Sequence, residues 1–398
     1  MNRKKYKILL ALSDDDMRAG SSRSAAYLAH ELNKHDFKVD LLVPKGKRSL
    51  ILLDRLKLNY AVIRYYNWTK KIHEPCYMKL MRNVRQAFRG FYNEHIGHRT
   101  IKKIIEKGNY DLVVLNNTWV YLPAQVASEM GIPFVWHLRE FNEEDHGWTF
   151  CDKEKSFSLM SDSAALIGIS EAILNKYKPL IASDRFFKVY NGIDPEHFLS
   201  IERTPLSNQI VRIGIIGRIS FGKGQIDLVR ALASIKNECS PFRLYVAGEG
   251  SLADESALKK TIHELGMDDF VVMLGGIDDV AGFYESIDIL VICSKMEAFG
   301  RVAVEGLMSG CIVIASNTGG LTEIIYDRTT GYFFEQGNID QLSETILEVV
   351  RHKQEAQEIA KNGRLCAARK FTSAKNAEDV SSIYFSVLQN HKKGDNVK

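Results

Sequence analysis
No apolar run in this 398-residue chain approaches the roughly 18–20 residues that a membrane-spanning helix needs. The opening MNRKKYKILLALSDDD has the basic start of a signal peptide. Its apolar run is short, however, and meets Asp14, Asp15 and Asp16 instead of small residues, so it reads as a first β-strand. Six cysteines (Cys76, Cys151, Cys239, Cys293, Cys311 and Cys366) occur without any CxxC spacing. That argues against a disulfide framework or a cysteine zinc site and points to reduced thiols in a cytosolic protein. No metal-ligand cluster, short-period repeat or low-complexity tract is visible. Net charge is only +4, but it is unevenly spread. From Lys45 to Lys107 there are sixteen Lys and Arg against four Asp and Glu, so this window carries +12 and the remainder −8.

What is present is a regular alternation of strand-like and helix-like segments. YKILLALS, KVDLLVP, YDLVVLNN, PFVWHL, ALIGIS and FFKVYN are followed by IVRIGIIGR, FRLYVAGEG, FVVMLGG, IDILVICS and CIVIAS. Short uniformly apolar runs separated by helical patterns predict βα units and parallel sheets covered on both faces. Eleven strands fit two sheets better than one. The rhythm breaks at NGIDPEHFLSIERTPLSNQ (191–209). The reading is two Rossmann-like, doubly wound α/β domains, 1–190 and 191–374, facing a central cleft, with a C-terminal helix (375–398) packing back onto the first. Ligands of such sheets sit beyond the carboxyl ends of the strands.

Three turns at those ends stand out. After IVRIGIIG comes GRISFGKG, where Gly217, Gly222 and Lys223 match the start of a P-loop, but Gly224 replaces the magnesium-binding hydroxyl. Arg218 and Lys223 there are two cations suited to a diphosphate without metal, unless the loop is merely solvated. YVAGEGS supplies a second turn with Gly248 and Glu249. The third is KMEAFGRVAVE, with Glu297 and Glu305 eight positions apart around Phe299-Gly300. A helix starting near Gly300 would point the N–H groups of Gly300, Arg301 and Val302 at an anion, and two flanking carboxylates could each accept from sugar hydroxyls. The plainer alternative makes Glu297 a cap and Glu305 an exposed surface residue.

These residues resemble glycosyltransferase family four: Glu297-x7-Glu305 with AFG, Arg218 and Lys223 in GRISFGKG, NGID at 191–194, VAGEG at 246–250 and NTGGLTEII at 317–325. The resemblance implies the GT-B fold and a retaining, metal-independent hexosyltransferase. Its donor would be a nucleoside-diphosphate sugar, UDP-sugar favoured, and no cofactor would be needed. It implies that Glu297 contacts the donor sugar, Glu305 the ribose, and Arg218 and Lys223 the leaving diphosphate. His137 in PFVWHLREF corresponds to the family's active-site histidine. Gly20 is the single glycine left in its first, usually Gly-rich, turn. The HLREF form followed by EEDHG resembles members from bacterial surface-polysaccharide clusters, which implies a glycan or polyprenyl-linked acceptor. A sugar-nucleotide epimerase or a non-catalytic partner of the same fold are the alternatives.

Ser170 is expected to cap a helix. KLMRNVRQAFRGFY (79–92) places Leu80, Val84, Ala87, Phe88 and Phe91 on one helical face with Lys79, Arg82, Arg85 and Arg89 around the rest. This pattern fits either peripheral docking on the inner, anionic membrane face or packing on the domain core. No nucleic-acid module is recognisable.

Overall fold
The structure is a computed structural model that describes residues 5–395 apart from 18, 47, 49, 73–75, 200–202 and 240, and omits the side chains of 76–80 and 394–395. The chain divides into two compact units, Met1–Gly192 with Ser373–Lys398, and Ile193–Thr372.

Among the described residues the first unit has nine strands: β1 (Tyr6–Ala11), β2 (Phe37–Pro44), β3 (Asn59–Ile63), β4 (Thr69–Lys71), β5 (Leu112–Leu115), β6 (Phe134–Leu138), β7 (Trp148–Phe150), β8 (Ala165–Gly168) and β9 (Phe186–Lys188). Seven form one sheet in the order β3-β2-β1-β5-β6-β8-β9, and every pairing in it is parallel. β4 and β7 form a separate antiparallel ribbon. Central strands such as LVVL of β5 and FVWHL of β6 are buried at every position, because a parallel sheet between helix layers has no wet face. The helix Ser373–Asp395 completes this unit: Ala377, Val380, Tyr384, Val387 and Leu388 join the core formed by β1, β2, β5, β6 and β8. Tyr384 meets the Phe37 ring edge-on at 6.2 Å. Each large side chain so buried contributes roughly 1.5–3 kcal/mol relative to exposure, which fastens the end of the chain to its beginning.

The second unit holds β10 (Val211–Ile216), β11 (Phe242–Ala247), β12 (Val271–Gly275), β13 (Ile289–Ile292), β14 (Ile312–Ser316) and β15 (Tyr332–Phe334). Their order is β12-β11-β10-β13-β14-β15, again parallel throughout. β10 lies between β11 and β13, so the winding reverses there, and the turns after these strands flank the point where open α/β sheets take ligands. At the opposite ends of the strands Asp288, fully buried, accepts from Arg212 Nε and Nη2 and from the backbone N–H groups of Leu206 and Arg212. That is structural glue, away from the turns that matter.

Four strands are additional to the eleven read from the sequence: β3, β4, β7 and β15.

Candidate active site
In the second unit the turns after β10, β11, β13 and β14 are locked together backbone to backbone. Gly217 N donates to Ala247 O at 3.0 Å and Ile219 N to Glu249 O at 2.9 Å. Gly248, at φ +133°, lies so close to the first turn that a Cβ there would sit 1.9 Å from Gly217 O. Lys295 N donates to Gly222 O at 2.9 Å and Gly320 N to Glu297 O at 2.7 Å. Gly319, at φ +51°, leaves room for the Glu297 carbonyl, which a Cβ would meet at 2.2 Å. The glycines of GRISFGKG, VAGEG and NTGG thus allow four turns to form one rigid cluster. Gln225, 2% exposed, braces it by donating to Arg218 O at 3.0 Å and accepting from Ser220 N at 3.3 Å.

On this scaffold Lys223 Nζ donates to Glu297 Oε2 at 2.6 Å. The two are 36% and 21% exposed, so the pair contributes on the order of 1 kcal/mol or less to stability. Its consequence is positional, since the ammonium has two further donors to offer. Arg218 is exposed on the same turn.

After Glu297 the chain enters the helix Arg301–Met308, N-capped by Gly300 at φ +98°. Intrahelical bonding starts with Ala303 and Val304 donating to Gly300 O. The N–H groups of the first turn therefore point out of the helix, as an anion site requires. Phe299 is buried against Phe371, ring centres 6.0 Å apart, so only its main chain is placed to meet a ligand.

Glu305 is 3% exposed, not a surface residue. Arg301 Nε donates to its Oε1 at 2.7 Å and Tyr284 OH to its Oε2 at 3.0 Å. Burial first, and then the neighbouring carboxylate, push the Tyr284 phenol well above its usual range, so it remains a donor. Two donors fix the carboxylate while leaving acceptor capacity for hydroxyls. Tyr284 and Gln225 were not among the residues singled out by sequence. The Arg301–Glu305 side-chain pair was available from its i,i+4 spacing.

In the first unit His137 is the last residue but one of β6 and is 2% exposed. Arg139 Nη2 is 3.4 Å from its Nδ1, and Nε2 is 2.8 Å from Tyr384 OH. A guanidinium only donates, so Nδ1 accepts and Nε2–H donates to Tyr384. Burial, then Arg139, hold the ring well below its usual pKa and therefore neutral. In this conformation His137 orients Arg139 and Tyr384 and reaches no solvent.

Arg139 joins the carboxyl ends of β5 and β6 to the NGID segment through Asn116 O, at 2.8 Å, and Asn191 Oδ1. Beside it Glu140 is buried, and desolvation, reinforced by Asp145 and opposed by Arg139, raises its pKa to about 8. Gly20 is exposed and opens the helix Gly20–Asn33. Near its start Asp14 accepts from Ser22 Oγ and Asp16 N, both at 3.0 Å, so a carboxylate already sits beside that helix end. Ser170 caps the helix Glu171–Tyr177, accepting from Ile173 N at 3.1 Å.

Among the described residues no group of three or more His, Cys, Asp or Glu side chains is placed to hold a metal ion. Nor is any helix there long and apolar enough to cross a membrane.

Residues 18–197 match the family described as Glycosyltransferase Family 4, and residues 202–365 match Glycosyl transferases group 1. Among curated relatives, an N-acetyl-alpha-D-glucosaminyl L-malate synthase of Bacillus anthracis is 24% identical over 245 residues, 59% of this chain and 63% of its own length. The capsular polysaccharide biosynthesis glycosyltransferase CapM of Staphylococcus aureus is 27% identical over 50% of this chain and 54% of its own. Among solved structures, Anabaena HepE in complex with UDP-glucose superposes with a TM-score of 0.77 at 19% identity, covering 95% of this chain and 99% of that one. At that identity the likeness is one of fold. The two family matches lie end to end over the two parallel-sheet units, and the chain belongs to glycosyltransferase family four.

Proposed function
We propose that the protein is a retaining hexosyltransferase that moves a hexose from a nucleoside-diphosphate sugar to a hydroxyl of a glycan or polyprenyl-linked acceptor during bacterial surface-polysaccharide synthesis. The observation that carries this reading is the pair of differently built carboxylates around one helix start: Glu297 beside Lys223, and Glu305 held by Arg301 and Tyr284. Between them the diphosphate would lie on the N–H groups of Gly300, Arg301 and Val302, with Arg218 and Lys223 on its oxygens and Gly217, Gly248 and Glu249 shaping the adjoining turns. Glu305 would take the ribose hydroxyls and Glu297 the hexose. UDP is the favoured nucleotide, in keeping with the ligand of HepE, and a polysaccharide product is in keeping with CapM.

In the reaction the bond from the anomeric carbon to the diphosphate oxygen breaks. A bond to the acceptor oxygen forms on the same face, and the acceptor proton passes to a phosphate oxygen. No protein nucleophile is required. The protein supplies preorganised positive potential where diphosphate charge develops, a term typically worth about 3–4 kcal/mol for each donor. Arg218 and Lys223 do this without a divalent cation. The first unit would bind the acceptor, with His137 acting as a positioning residue behind Arg139. The protein would work in the cytoplasm, where nucleotide sugars are available.

A thermal-shift screen of nucleotide sugars, followed by proton NMR of the product, tests the proposal, since a ligand bound only by the folded state raises its melting temperature. A stabilising donor and a product with the donor's anomeric configuration are expected. No stabilising nucleotide sugar, or an inverted product, would overturn it.

A further inference from the structure
One helix of the first unit is built inside out. In Cys76–Tyr92 the side chains of Met81, Val84, Phe88 and Phe91 recur three or four residues apart on one face. They are 73%, 65%, 60% and 59% exposed. The apolar face expected either on the core or on a membrane is therefore not on the core. The helix is anchored beside that stripe by polar and aromatic groups. The Arg89 guanidinium stands 5.2 Å from the centre of the Tyr66 ring, and Tyr92 meets the same ring edge-on at 5.6 Å. Just beyond, buried Asn93 donates to Tyr66 O and Tyr121 OH at 2.8 and 3.0 Å. Lys79 and Leu80 lie outside the described side chains.

The helix continues through a π-helical turn (Asn93–Gly97) into His98–Gly108. Along this rod Arg85, Arg99, Lys102, Lys103 and Lys107 are exposed. A stripe of two phenylalanines, a valine and a methionine left this exposed marks a contact surface. The charge around it selects the occupant. Two copies of this chain would bring two +12 windows together, whereas an anionic leaflet attracts each one.

We propose that this face docks on an anionic lipid bilayer, with Met81, Val84, Phe88 and Phe91 at the acyl boundary and Arg85, Arg99, Lys102 and Lys103 on the headgroup phosphates. The rod then lies in the interface plane and spans nothing. The inference does not rest on the transferase reading, because vesicle binding is measured with neither donor nor acceptor present.

The test is co-sedimentation of the full chain with phosphatidylglycerol or phosphatidylcholine vesicles at low and high salt. Two variants are compared with the wild type: Val84→Ser/Phe88→Ser/Phe91→Ser and Arg85→Glu/Lys102→Glu/Lys103→Glu. All six positions are exposed, so both variants keep the core intact, and a matching melting curve verifies it. Arg89 is left alone because it holds the helix. Wild type is expected to pellet with phosphatidylglycerol at low salt, to be released by high salt, and to ignore phosphatidylcholine. Losing a cation at such a surface weakens binding by about fivefold, so three reversals weaken it by more than about a hundredfold. The serine variant is expected to bind at least about tenfold more weakly. Wild type remaining in the supernatant at low salt overturns the proposal, as does unchanged pelleting of both variants. A concentration-dependent dimer, abolished by the serine variant and seen without vesicle binding, overturns it in favour of a second copy.

Discussion

Replacing Gly248 by alanine tests whether the turns after β10 and β11 form one rigid unit. The new Cβ would lie 1.9 Å from Gly217 O, against about 3.3 Å for a close carbon–oxygen contact. The obstacle is backbone, so no rotamer change relieves it, and the turns must part by more than about 1 Å. The φ of +133° adds strain of about 1–3 kcal/mol for a residue with a Cβ. Gly217 begins the turn that carries Arg218 and Lys223. A displacement of about 1 Å at a positioning group can cost about a hundredfold in rate. We expect Gly248→Ala to lose about 2–4 kcal/mol of stability. It should also bind nucleoside diphosphate at least about tenfold more weakly and turn over about a hundredfold more slowly. Gly131→Ala is the control: its φ is +66°, nothing lies within 4 Å of the new Cβ, and it belongs to the first unit. It should lose only about 1 kcal/mol and keep full activity. The assays are thermal melting, calorimetric titration with UDP, and initial rates of sugar transfer. A Gly248→Ala protein that melts, binds and turns over like wild type would show that the two turns are not rigidly coupled.

Lys223→Ala is expected to lower turnover by roughly 10²–10³-fold, and by more than it weakens donor binding, because its charge matters most as the diphosphate leaves. Wild-type activity should survive EDTA; complete loss restored by magnesium would show that the two cations do not suffice. Tyr284→Phe leaves one oxygen of a buried carboxylate short of a donor, at a cost of about 1–3 kcal/mol, so it should lower the melting temperature and weaken UDP together. Glu140 has a pKa raised to about 8 in the folded protein, above its ordinary value. The folded state thus keeps a proton that the unfolded chain has already released. Stability should be greatest below the ordinary glutamate pKa and fall as pH rises through about 8, with a limiting slope of about 1.4 kcal/mol per pH unit. Glu140→Gln should flatten that slope in urea titrations from pH 5 to 9, and an unchanged slope would remove Glu140 as its source.

The parallel strands were legible because burial on both faces leaves a uniform apolar run such as IDILVICS or FVWHL. β3 was not, because it is an edge strand whose Tyr60 and Val62 are exposed. β4 and β7 pair TKK with WTF across almost eighty residues, and nothing local in three residues announces that pairing. At the site, Lys223, Glu297 and Glu305 were readable from spacing, and the glycines from their turns. Tyr284 was not, because a phenol brought from another helix leaves no mark near the motif it serves. His137 is the last residue but one of β6, and its burial could not be read from that place. Strand alternation then turns His137 to the side of Val135, against the core that includes Tyr384. For the helix Cys76–Tyr92 the sequence displayed an apolar stripe without saying which way it faces. The stacking of Arg89 on Tyr66 decides that, and it depends on a residue outside the helix.

In the proposed site two glutamates eight positions apart do different work on one bound nucleotide sugar. Calorimetric titration of UDP in EDTA into wild type, Glu305→Ala and Glu297→Ala, alongside transfer rates, tests it most directly. The wild type is expected to bind UDP at one site and Glu305→Ala at least about tenfold more weakly, a difference of about 1.4 kcal/mol. Glu297→Ala is expected to keep near wild-type UDP affinity and to lose sugar transfer. Failure of the wild type to bind any nucleoside diphosphate, or equal UDP affinity in wild type and Glu305→Ala, would contradict it.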